Sequence, residues 1–306
     1  MRIRRSTPCS FGRSHVSGLN GGERDIFIIS RHPPNSYPKS YSPMQRQSNL
    51  KIKGKKLAPY VLMPGDPGRV DLIAQYLEEG QLISNYREFK VYTGKYKGVP
   101  ISVVSTGIGC PSTAMAVEEA INLGAKILIR VGTCGGAWRR NIPLGSLIIP
   151  IACVRDEGTT KEYMPLEFPA VADLEVTNAL KVSAQKKRAR YFIGINRTHD
   201  AFYGIFDSIK RWGTYLSDKR WRPYDTPILS SEMECAALYV IASLRGVKAG
   251  AVLAVNAAPE PLRERLCGEK QTIATESGVG RTEQIVEIAI QIALDAMVAM
   301  ANHKVN

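Results

Sequence analysis

The sequence has few histidines and no closely spaced cysteines, and these two shortages argue against zinc sites and multi-histidine metal sites. Only four of the 306 residues are histidine, and only His199 lies in the part of the chain with a regular pattern of secondary structure. None of the six cysteines belongs to a C-x-x-C pair, so we expect no zinc site. We expect the cysteines to be small buried apolar residues of a protein in a reducing compartment. A single histidine also disfavours a multi-histidine metal site and a Ser-His-Asp triad.

Long apolar runs and a secretory leader are also lacking. No apolar run approaches the roughly 20 residues that span a bilayer. The basic N-terminus has no continuous apolar segment followed by a small-residue cleavage site. We therefore expect a cytoplasmic protein that does not cross a membrane.

Positive charge is abundant but concentrated at one end. The chain carries a net charge of +13, and residues 1–56 hold +10 of it. The remaining 250 residues are nearly balanced, so their charge does not indicate nucleic-acid binding. Residues 1–45 are rich in Arg, Ser, Pro and Gly, which predicts a disordered leader that is dispensable for the working protein, with Met44 as an alternative start. A basic interaction tail is the functional alternative.

From residue 57 onward, short β-branched runs alternate with helical periodicity. Strands are predicted at 60–63, 101–105, 127–131, 147–154, 191–195 and 249–255, and helices at 70–77, 114–123, 176–185, 233–244 and 282–301. Asp66 and Pro67 suit the cap and first position of a helix. This order predicts an α/β protein whose mixed sheet is covered on both faces. No linker rich in Pro, Gly or Ser divides residues 57–306, which predicts a single domain over 46–306.

Three predicted strand ends are rich in glycine: Gly65-Asp-Pro-Gly-Arg69, Gly107-Ile-Gly109 and Gly132-Thr-Cys-Gly135. Glycine lets backbone N–H groups approach an anion, and ligands of open α/β sheets bind beyond the strand ends. Arg69 ends the first of these motifs, and Arg130 precedes the third. A buried arginine needs an anionic partner, which is either a bound anion or a structural carboxylate. The second motif is not a dinucleotide fingerprint, because Ser112 replaces its third glycine and the later acidic residue is missing.

The motif Ser231-Glu-Met-Glu234 places two carboxylates at the start of a strongly predicted helix. At a helix start, acidic residues gain from the helix dipole, which is a purely structural explanation. The functional explanation is that carboxylates accept paired hydrogen bonds from the vicinal hydroxyls of a ribose.

Together these motifs resemble the purine nucleoside phosphorylase and uridine phosphorylase family. The resemblance covers about four fifths of the chain, and its parts occur in the family's order: Gly65-Asp-Pro-Gly-Arg69, Tyr86-Arg-Glu-Phe89, Ser105-Thr-Gly-Ile-Gly-Cys-Pro-Ser112, Arg130-Val-Gly-Thr-Cys-Gly135, Pro165-Leu-Glu-Phe-Pro-Ala-Val-Ala-Asp173, Asp200-Ala-Phe-Tyr203 and Ser231-Glu-Met-Glu234. Val154-Arg-Asp-Glu-Gly158 and residues 165–173 resemble the uridine phosphorylase branch. The resemblance implies a three-layer α/β/α sandwich around a central mixed, barrel-like sheet, in a protein that forms hexamers.

The resemblance also implies roles for individual residues. The phosphate site would contain Gly65, Arg69, Arg130 and Thr133, with Arg87 donated across a dimer interface, and the three arginines would be the catalytic residues. The ribose site would contain Glu232, Met233 and Glu234, and the base would pack against Phe202 and Gly135. The positions that hold a monovalent cation, here expected to be K⁺, at the dimer interface of bacterial uridine phosphorylases match Glu88, Ile108 and Ser112.

The sequence departs from the family where the base is recognised. Phe202-Tyr203 is followed by Gly-Ile-Phe-Asp-Ser208, without the usual Gln and Arg that contact uracil. Asn256 is followed by Ala257, where uridine phosphorylases have an Arg and purine-specific relatives an Asp. The early histidine that reaches a neighbour's ribose is absent from residues 44–56. A basic residue of the following segment could replace the missing contacts to the base; the candidates are Lys210, Arg211, Lys219, Arg220 and Arg222.

The predicted reaction is phosphate-dependent cleavage of a nucleoside, with uridine favoured and a purine nucleoside or methylthioadenosine as the alternative. Arginine binds phosphate bidentately and stays charged, and no covalent intermediate or cofactor is needed. A nucleosidase that uses water would not need three phosphate-binding arginines. A non-catalytic nucleoside-binding protein would not need the complete phosphate and ribose sites.

Overall fold

The computed structural model describes residues 49–52, 57–135, 142–202, 228–257 and 276–302. The predicted leader, residues 1–45, lies outside these ranges. So do the basic residues predicted as substitutes for the missing contacts to the base.

The described residues contain ten strands and six helices in α/β alternation. The strands are β1 Tyr60–Pro64, β2 Glu78–Tyr86, β3 Phe89–Tyr96, β4 Val99–Val104, β5 Ile127–Gly135, β6 Leu147–Asp156, β7 Ala170–Val171, β8 Tyr191–His199, β9 Ile228–Glu232 and β10 Lys248–Ala257. The helices are α1 Pro67–Ala74, α2 Cys110–Asn122, α3 Thr159–Tyr163, α4 Leu174–Lys186, α5 Cys235–Leu244 and α6 Glu276–Asn302.

All ten strands form one sheet, part of which closes on itself. Nine strands follow the order β10-β6-β8-β9-β5-β1-β4-β3-β2, and β10 also pairs in parallel with β5. The tenth, β7, pairs in antiparallel orientation with β6. The strands β10, β6, β8, β9 and β5 therefore form a closed five-stranded mixed barrel, from which β1, β4, β3 and β2 extend. The predicted mixed, barrel-like sheet is confirmed.

Helices cover both faces of the sheet and create two hydrophobic cores. One core contains the buried sides of α2 and α5, and the other contains those of α1, α4 and α6. Strand β1 contributes alternate residues to each, with Val61 and Met63 in the first core and Tyr60 and Leu62 in the second. This alternation is the period of two expected of a strand buried on both faces. The predicted three-layer sandwich is thereby confirmed.

Several predicted element ends shift by a few residues, and two shifts change the site. The cap is as predicted, since the carboxylate of Asp66 accepts a hydrogen bond from the N–H of Gly68 at 2.8 Å. In contrast, 132–135 is not a loop, because β5 continues through it to Gly135. The helix after the two glutamates begins only at Cys235, so Glu232 ends strand β9 and Glu234 occupies the cap position.

Helix α6 contains a stretch that is long and apolar enough to cross a membrane by length and composition. This stretch, Glu283–Asn302, has a mean hydropathy of 1.6, so the expectation that no apolar run approaches this length was wrong. Four of its polar residues recur every four positions along one face of the helix and so interrupt the apolar run in the sequence: Glu283, Glu287, Gln291 and Asp295. Fully buried Ile292, Leu294 and Met297 belong to the second core, as in the core helix of a globular domain.

The segment before β1 is fastened to helix α2 by a buried carboxylate. Glu119 accepts hydrogen bonds from the backbone N–H groups of Asn49 at 3.1 Å and Leu50 at 2.8 Å, and from the side-chain amide of Asn49 at 2.8 Å. Leu50 is fully buried in the first core. Folded contacts therefore extend at least as far towards the N-terminus as residue 49.

Candidate active site

The ends of β1 and β4 bring two glycine-rich segments together above strand β5. A Cβ atom at Gly65 would lie 3.3 Å from the carbonyl oxygen of Gly107 and 3.7 Å from Nη1 of Arg130. Gly107 has a φ of +70°, and a Cβ there would lie only 2.6 Å from side-chain atoms of Glu88 and Ser112. Glycine is required at this position on both grounds. Segments distant in sequence thus converge on one guanidinium group.

Arg130 is the centre of this arrangement. It lies within β5 and is only 4% exposed. Its Nη2 donates to Oε2 of Glu234, and its Nε lies 3.2 Å from Oε2 of Glu232. Burial disfavours the charged guanidinium, but the two carboxylates outweigh burial and raise the pKa of Arg130. The sequence predicted either a structural carboxylate or a bound anion as the partner of Arg130. The structure provides two carboxylates, but they do not pair with every N–H group of the guanidinium.

Part of the Arg130 guanidinium has no hydrogen-bond acceptor within the described residues. Nη1 and Nε are both buried without a hydrogen-bond acceptor among the residues that the structure describes, and of the two only Nε lies beside a carboxylate, that of Glu232. Nη1 faces the segment of Gly65, as the 3.7 Å approach shows. A buried, unsatisfied cationic N–H is costly, so this position suits an anion.

Arg69 supplies a second cation next to the first. It extends from the first turn of α1, and its Nη1 donates to the carbonyl of Val131 at 3.3 Å. Within the described ranges Arg69 forms no ion pair with a carboxylate. Burial, and then the charge of Arg130, lower the pKa of Arg69, which Asp66 and Glu234 partly oppose. Two mutually repelling guanidinium groups at glycine-rich strand ends are typical of an oxyanion site.

Glu234 connects the arginine to the second glycine-rich segment. Its Oε1 accepts a hydrogen bond from the N–H of Gly109 at 2.7 Å, while Oε2 accepts from Arg130. Burial raises the pKa of Glu234, and the charge of Arg130 opposes this rise. A carboxylate has about four lone-pair positions, so Glu234 can still accept hydrogen bonds from a ligand.

Glu232 has no such spare capacity. Its oxygens accept from the side chains of Asn196 at 2.8 Å and Thr198 at 2.7 Å, and from the backbone N–H groups of Glu234 at 2.8 Å and Cys235 at 3.0 Å. Burial acts to raise the pKa of Glu232, but Arg130 and these hydrogen bonds together lower it. Glu232 is thus a charged carboxylate with both oxygens occupied by protein donors.

The structure brings together two of the three residues predicted to hold a cation, Glu88 and Ser112. The hydroxyl of Ser112 lies 3.0 Å from Oε1 of Glu88 and 2.5 Å from the carbonyl of Thr106. The side chain of Ile108 is 78% exposed. Arg87 lies in the exposed turn before Glu88, with its guanidinium 5.5 Å from the centre of the Tyr86 ring. Its predicted role as a residue donated to a neighbouring subunit stays a prediction.

The remaining predicted site residues border the same region. Thr133 and Gly135 are half-buried in the last part of β5. Met233 lies between the two glutamates, and its carbonyl accepts a hydrogen bond from the thiol of Cys110 at 3.2 Å. Phe202 is 64% exposed and is the last residue described before 203–227. The predicted base site therefore borders residues outside the described ranges.

Sequence reasoning missed the polar residues of β8 and β9 that surround Glu232. Asn196, Thr198 and Ser230 are fully buried. The available signal was that Asn196 and Thr198, at i and i+2, point to the same face of a strand that begins with an apolar run at 191–195.

A second missed residue, Arg155, explains two of the family motifs. Its guanidinium donates to the carbonyls of Thr160 and Met164 at 2.8 Å and Pro165 at 2.6 Å. These hydrogen bonds fasten the segment that contains residues 165–173 to strand β6. The two motifs typical of the uridine phosphorylase branch are thus parts of one structural unit.

A sequence profile of the phosphorylase superfamily matches residues 59–291. The chain belongs to this superfamily. It is 44% identical over 240 residues to the uridine phosphorylase of Thermococcus kodakarensis, covering 76% of this chain and 84% of that protein. It is 32% identical over 258 residues to the guanosine phosphorylase of Halorubrum lacusprofundi, covering 84% of this chain and all of that protein.

Solved structures of superfamily members have the same fold. The uridine phosphorylase of Vibrio fischeri aligns with a TM-score of 0.71 at 29% identity, over 85% of this chain and all of that one. The purine nucleoside phosphorylase of Toxoplasma gondii aligns with a TM-score of 0.67 at 28% identity, over 82% of this chain and 96% of that one. The predicted family is confirmed, and with it the prediction that this superfamily member is a pentosyltransferase.

Proposed function

We propose that this protein is a uridine phosphorylase that converts uridine and inorganic phosphate into uracil and ribose 1-phosphate. The observation that carries the proposal is the unsatisfied Nη1 of buried Arg130, facing Gly65 and lying close enough to Arg69 for the two cations to repel. An anionic second substrate would neutralise this excess charge. Water, the second substrate of a nucleosidase, would not.

Phosphate would be held by Arg69 and Arg130, by the backbone at Gly65 and by Thr133. Arg87 of a neighbouring subunit would complete the set. Guanidinium groups suit this task because they bind a phosphate bidentately and stay charged. Holding phosphate and nucleoside together converts a bimolecular attack into a nearly unimolecular one, which contributes up to about 7–11 kcal/mol to lowering the barrier.

The nucleoside's ribose would be held by Glu234 and the backbone of Met233. Glu234 has lone pairs left for the 2′- and 3′-hydroxyls, whereas Glu232 has none. In the reaction a phosphate oxygen forms a bond to C1′ as the bond from C1′ to the base breaks, with inversion at C1′. The electron pair of the broken bond leaves with the base. Positive charge develops on the ribose ring, so a nearby fixed carboxylate stabilises the transition state more than the ground state.

The base would pack against Phe202 and Gly135, and its selection would be relaxed. The usual polar residues that contact uracil are missing from the sequence, and a pocket without them discriminates by only a few kcal/mol. A purine nucleoside or methylthioadenosine phosphorylase is the second candidate, because a guanosine phosphorylase aligns over its entire length.

The assembly, cation and location also belong to the proposal. We propose a cytoplasmic hexamer with no required cofactor, in which Glu88, Ile108 and Ser112 hold K⁺ where two subunits meet. A monovalent ion fits the single carboxylate. Among the described residues no group of three His, Cys, Asp or Glu side chains could hold a metal ion, so a tightly bound divalent metal is not proposed.

The test is a panel of nucleosides assayed for base release with and without phosphate: uridine, thymidine, inosine, adenosine, guanosine and methylthioadenosine. We expect uridine and at least one other nucleoside to be cleaved, in each case only with phosphate. Equal release in phosphate-free buffer would identify a hydrolase. Cleavage of a purine nucleoside more than about tenfold faster than uridine, a difference of about 1.4 kcal/mol, would contradict uridine while leaving phosphorolysis in place.

A further inference from the structure

Behind the cluster of Arg130 and its carboxylates lies a second layer of buried polar side chains. Asn196, Thr198 and Ser230 are all fully buried, on the neighbouring parallel strands β8 and β9. Buried polar groups cost free energy unless they are hydrogen-bonded. Here the hydrogen bonds lead to one atom, Oε1 of Glu232.

The direction of each hydrogen bond in this layer is determined. Ser230 Oγ donates to Oδ1 of Asn196 at 2.9 Å, which turns the amide so that Nδ2 donates to Glu232 at 2.8 Å. The hydroxyl of Thr198 accepts from the N–H of Ala236 at 3.1 Å, so its own proton is directed to Glu232 at 2.7 Å. Both donors favour the charged carboxylate.

Glu232 connects this hydrogen-bonded layer to Arg130. Its Oε2 accepts from two backbone N–H groups and lies 3.2 Å from Nε of Arg130. Glu234 engages Nη2 of the same guanidinium. The contact at Nε is an ion pair and not a hydrogen bond. Because a guanidinium is planar and rigid, the two carboxylates at Nε and Nη2 together set the direction of Nη1, the atom that faces Gly65.

We propose that Asn196, Thr198 and Ser230 are positioning residues of the phosphate site, acting through Glu232 to hold Arg130 with Nη1 directed at the anion. The inference rests on the proposed function for the identity of that anion. It also assigns Glu232 to the phosphate half of the site rather than to ribose. A layer that only stabilised the fold would affect both substrates alike.

The test compares threonine variants that differ only in the hydroxyl. Thr198→Val removes the hydrogen bond to Glu232 at nearly constant volume, and Thr198→Ser retains it. Thr177→Val is the matched control, because Thr177 is also buried but its hydroxyl donates to the carbonyl of Asp173 in helix α4. The full-length enzyme is used to measure Kd for inorganic phosphate by titration calorimetry, and KM for phosphate and uridine by kinetics.

We expect Thr198→Val to raise Kd and KM for phosphate about tenfold, which corresponds to about 1.4 kcal/mol. The KM for uridine should change by less than about twofold, a difference under about 0.5 kcal/mol. Thr198→Ser and Thr177→Val should both bind phosphate like the wild type. Ser230→Ala, which removes only the group that orients Asn196, should weaken phosphate binding in the same direction and serves if Thr198→Val does not fold.

Two results would overturn the inference: unchanged phosphate binding in folded Thr198→Val or Ser230→Ala, or equal losses for phosphate and uridine. The proposed function is tested separately, by measuring whether the wild-type enzyme needs phosphate to release the base. If it does not, the proposed function fails, and the ratio of phosphate Kd values still decides the role of the buried layer.

Discussion

Substitution of the two arginines of the anion site should affect stability very differently and phosphate use alike. Arg130 is flanked by two buried carboxylates, whereas Arg69 makes one hydrogen bond to a backbone carbonyl and is repelled by Arg130. We therefore compare Arg130→Gln with Arg69→Gln. Both remove a cation of the phosphate site, but only the first removes the cation that is paired with two buried carboxylates.

The magnitudes follow from these surroundings. Arg130→Gln strands Glu232 and Glu234, and breaking a buried ion pair costs about 3–5 kcal/mol. At about 2–4 °C per kcal/mol for a domain of this size, Tm should fall by about 6–20 °C. Arg69→Gln loses a hydrogen bond of about 1 kcal/mol but also relieves repulsion, so its Tm should stay within about 3 °C of the wild type.

Phosphate use should suffer in both variants. A hydrogen bond to a charged group contributes about 1.5–3 kcal/mol, so kcat/KM for phosphate should fall about 10- to 150-fold. The assay is thermal unfolding in phosphate-free buffer and again in saturating phosphate, together with kinetics at varied phosphate. Phosphate should raise the Tm of the wild type by mass action and raise that of Arg69→Gln much less. The reasoning is refuted if Arg69→Gln loses as much Tm as Arg130→Gln, or if phosphate stabilises it as strongly as the wild type.

Three further predictions test other parts of the molecule. Glu234→Gln should lower the ratio of kcat/KM for uridine to that for deoxyuridine, and an unchanged ratio would remove Glu234 from contact with the 2′-hydroxyl. A chain that begins at Met44 should keep its Tm and activity, because it retains the contacts of Asn49 and Leu50 with Glu119; loss of either property would show that the leader is needed. Burial, and then Arg197, lower the pKa of His199 below its ordinary 6.5, so the unfolded chain takes up this proton first as pH falls. Urea unfolding should therefore show stability declining below about pH 6.5, by at most about 1.4 kcal/mol per pH unit, and His199→Asn should decline less steeply. Identical slopes would exclude a contribution of His199.

The central strands were predictable because their buried runs are continuous and β-branched, as in 127–131. The hairpin of β2 and β3 was not, because the sequence of β2, Glu-Glu-Gly-Gln-Leu-Ile-Ser-Asn-Tyr, is mostly polar and exposed. Strand β9 was missed for a different reason. Ser231-Glu-Met-Glu234 has the composition of a helix start, and only pairing with β8 makes Glu232 a strand residue.

The candidate site, like the fold, could be predicted only in part from the sequence. Glycine-rich strand ends and nearby arginines indicated an anion site from local sequence. The contact of Arg130 with Glu234, 104 residues away, depends on tertiary structure and could be expected only from the family resemblance. Nothing in the sequence distinguishes the environments of Glu232 and Glu234. Their difference arises because Asn196 and Thr198, on another strand, occupy one carboxylate and not the other.

The extended end of the sheet has a consequence for colloidal behaviour. Barrel closure pairs β10 on both sides, so β2 is the long strand with an unpaired edge among the described residues. An exposed edge can recruit a strand from another molecule and start aggregation. In β2 this is opposed by two irregularities in its pairing with β3 and by the exposed carboxylates of Glu78 and Glu79. Within the part of the chain that the structure describes, the long edge strand thus carries its own protection against edge-to-edge aggregation.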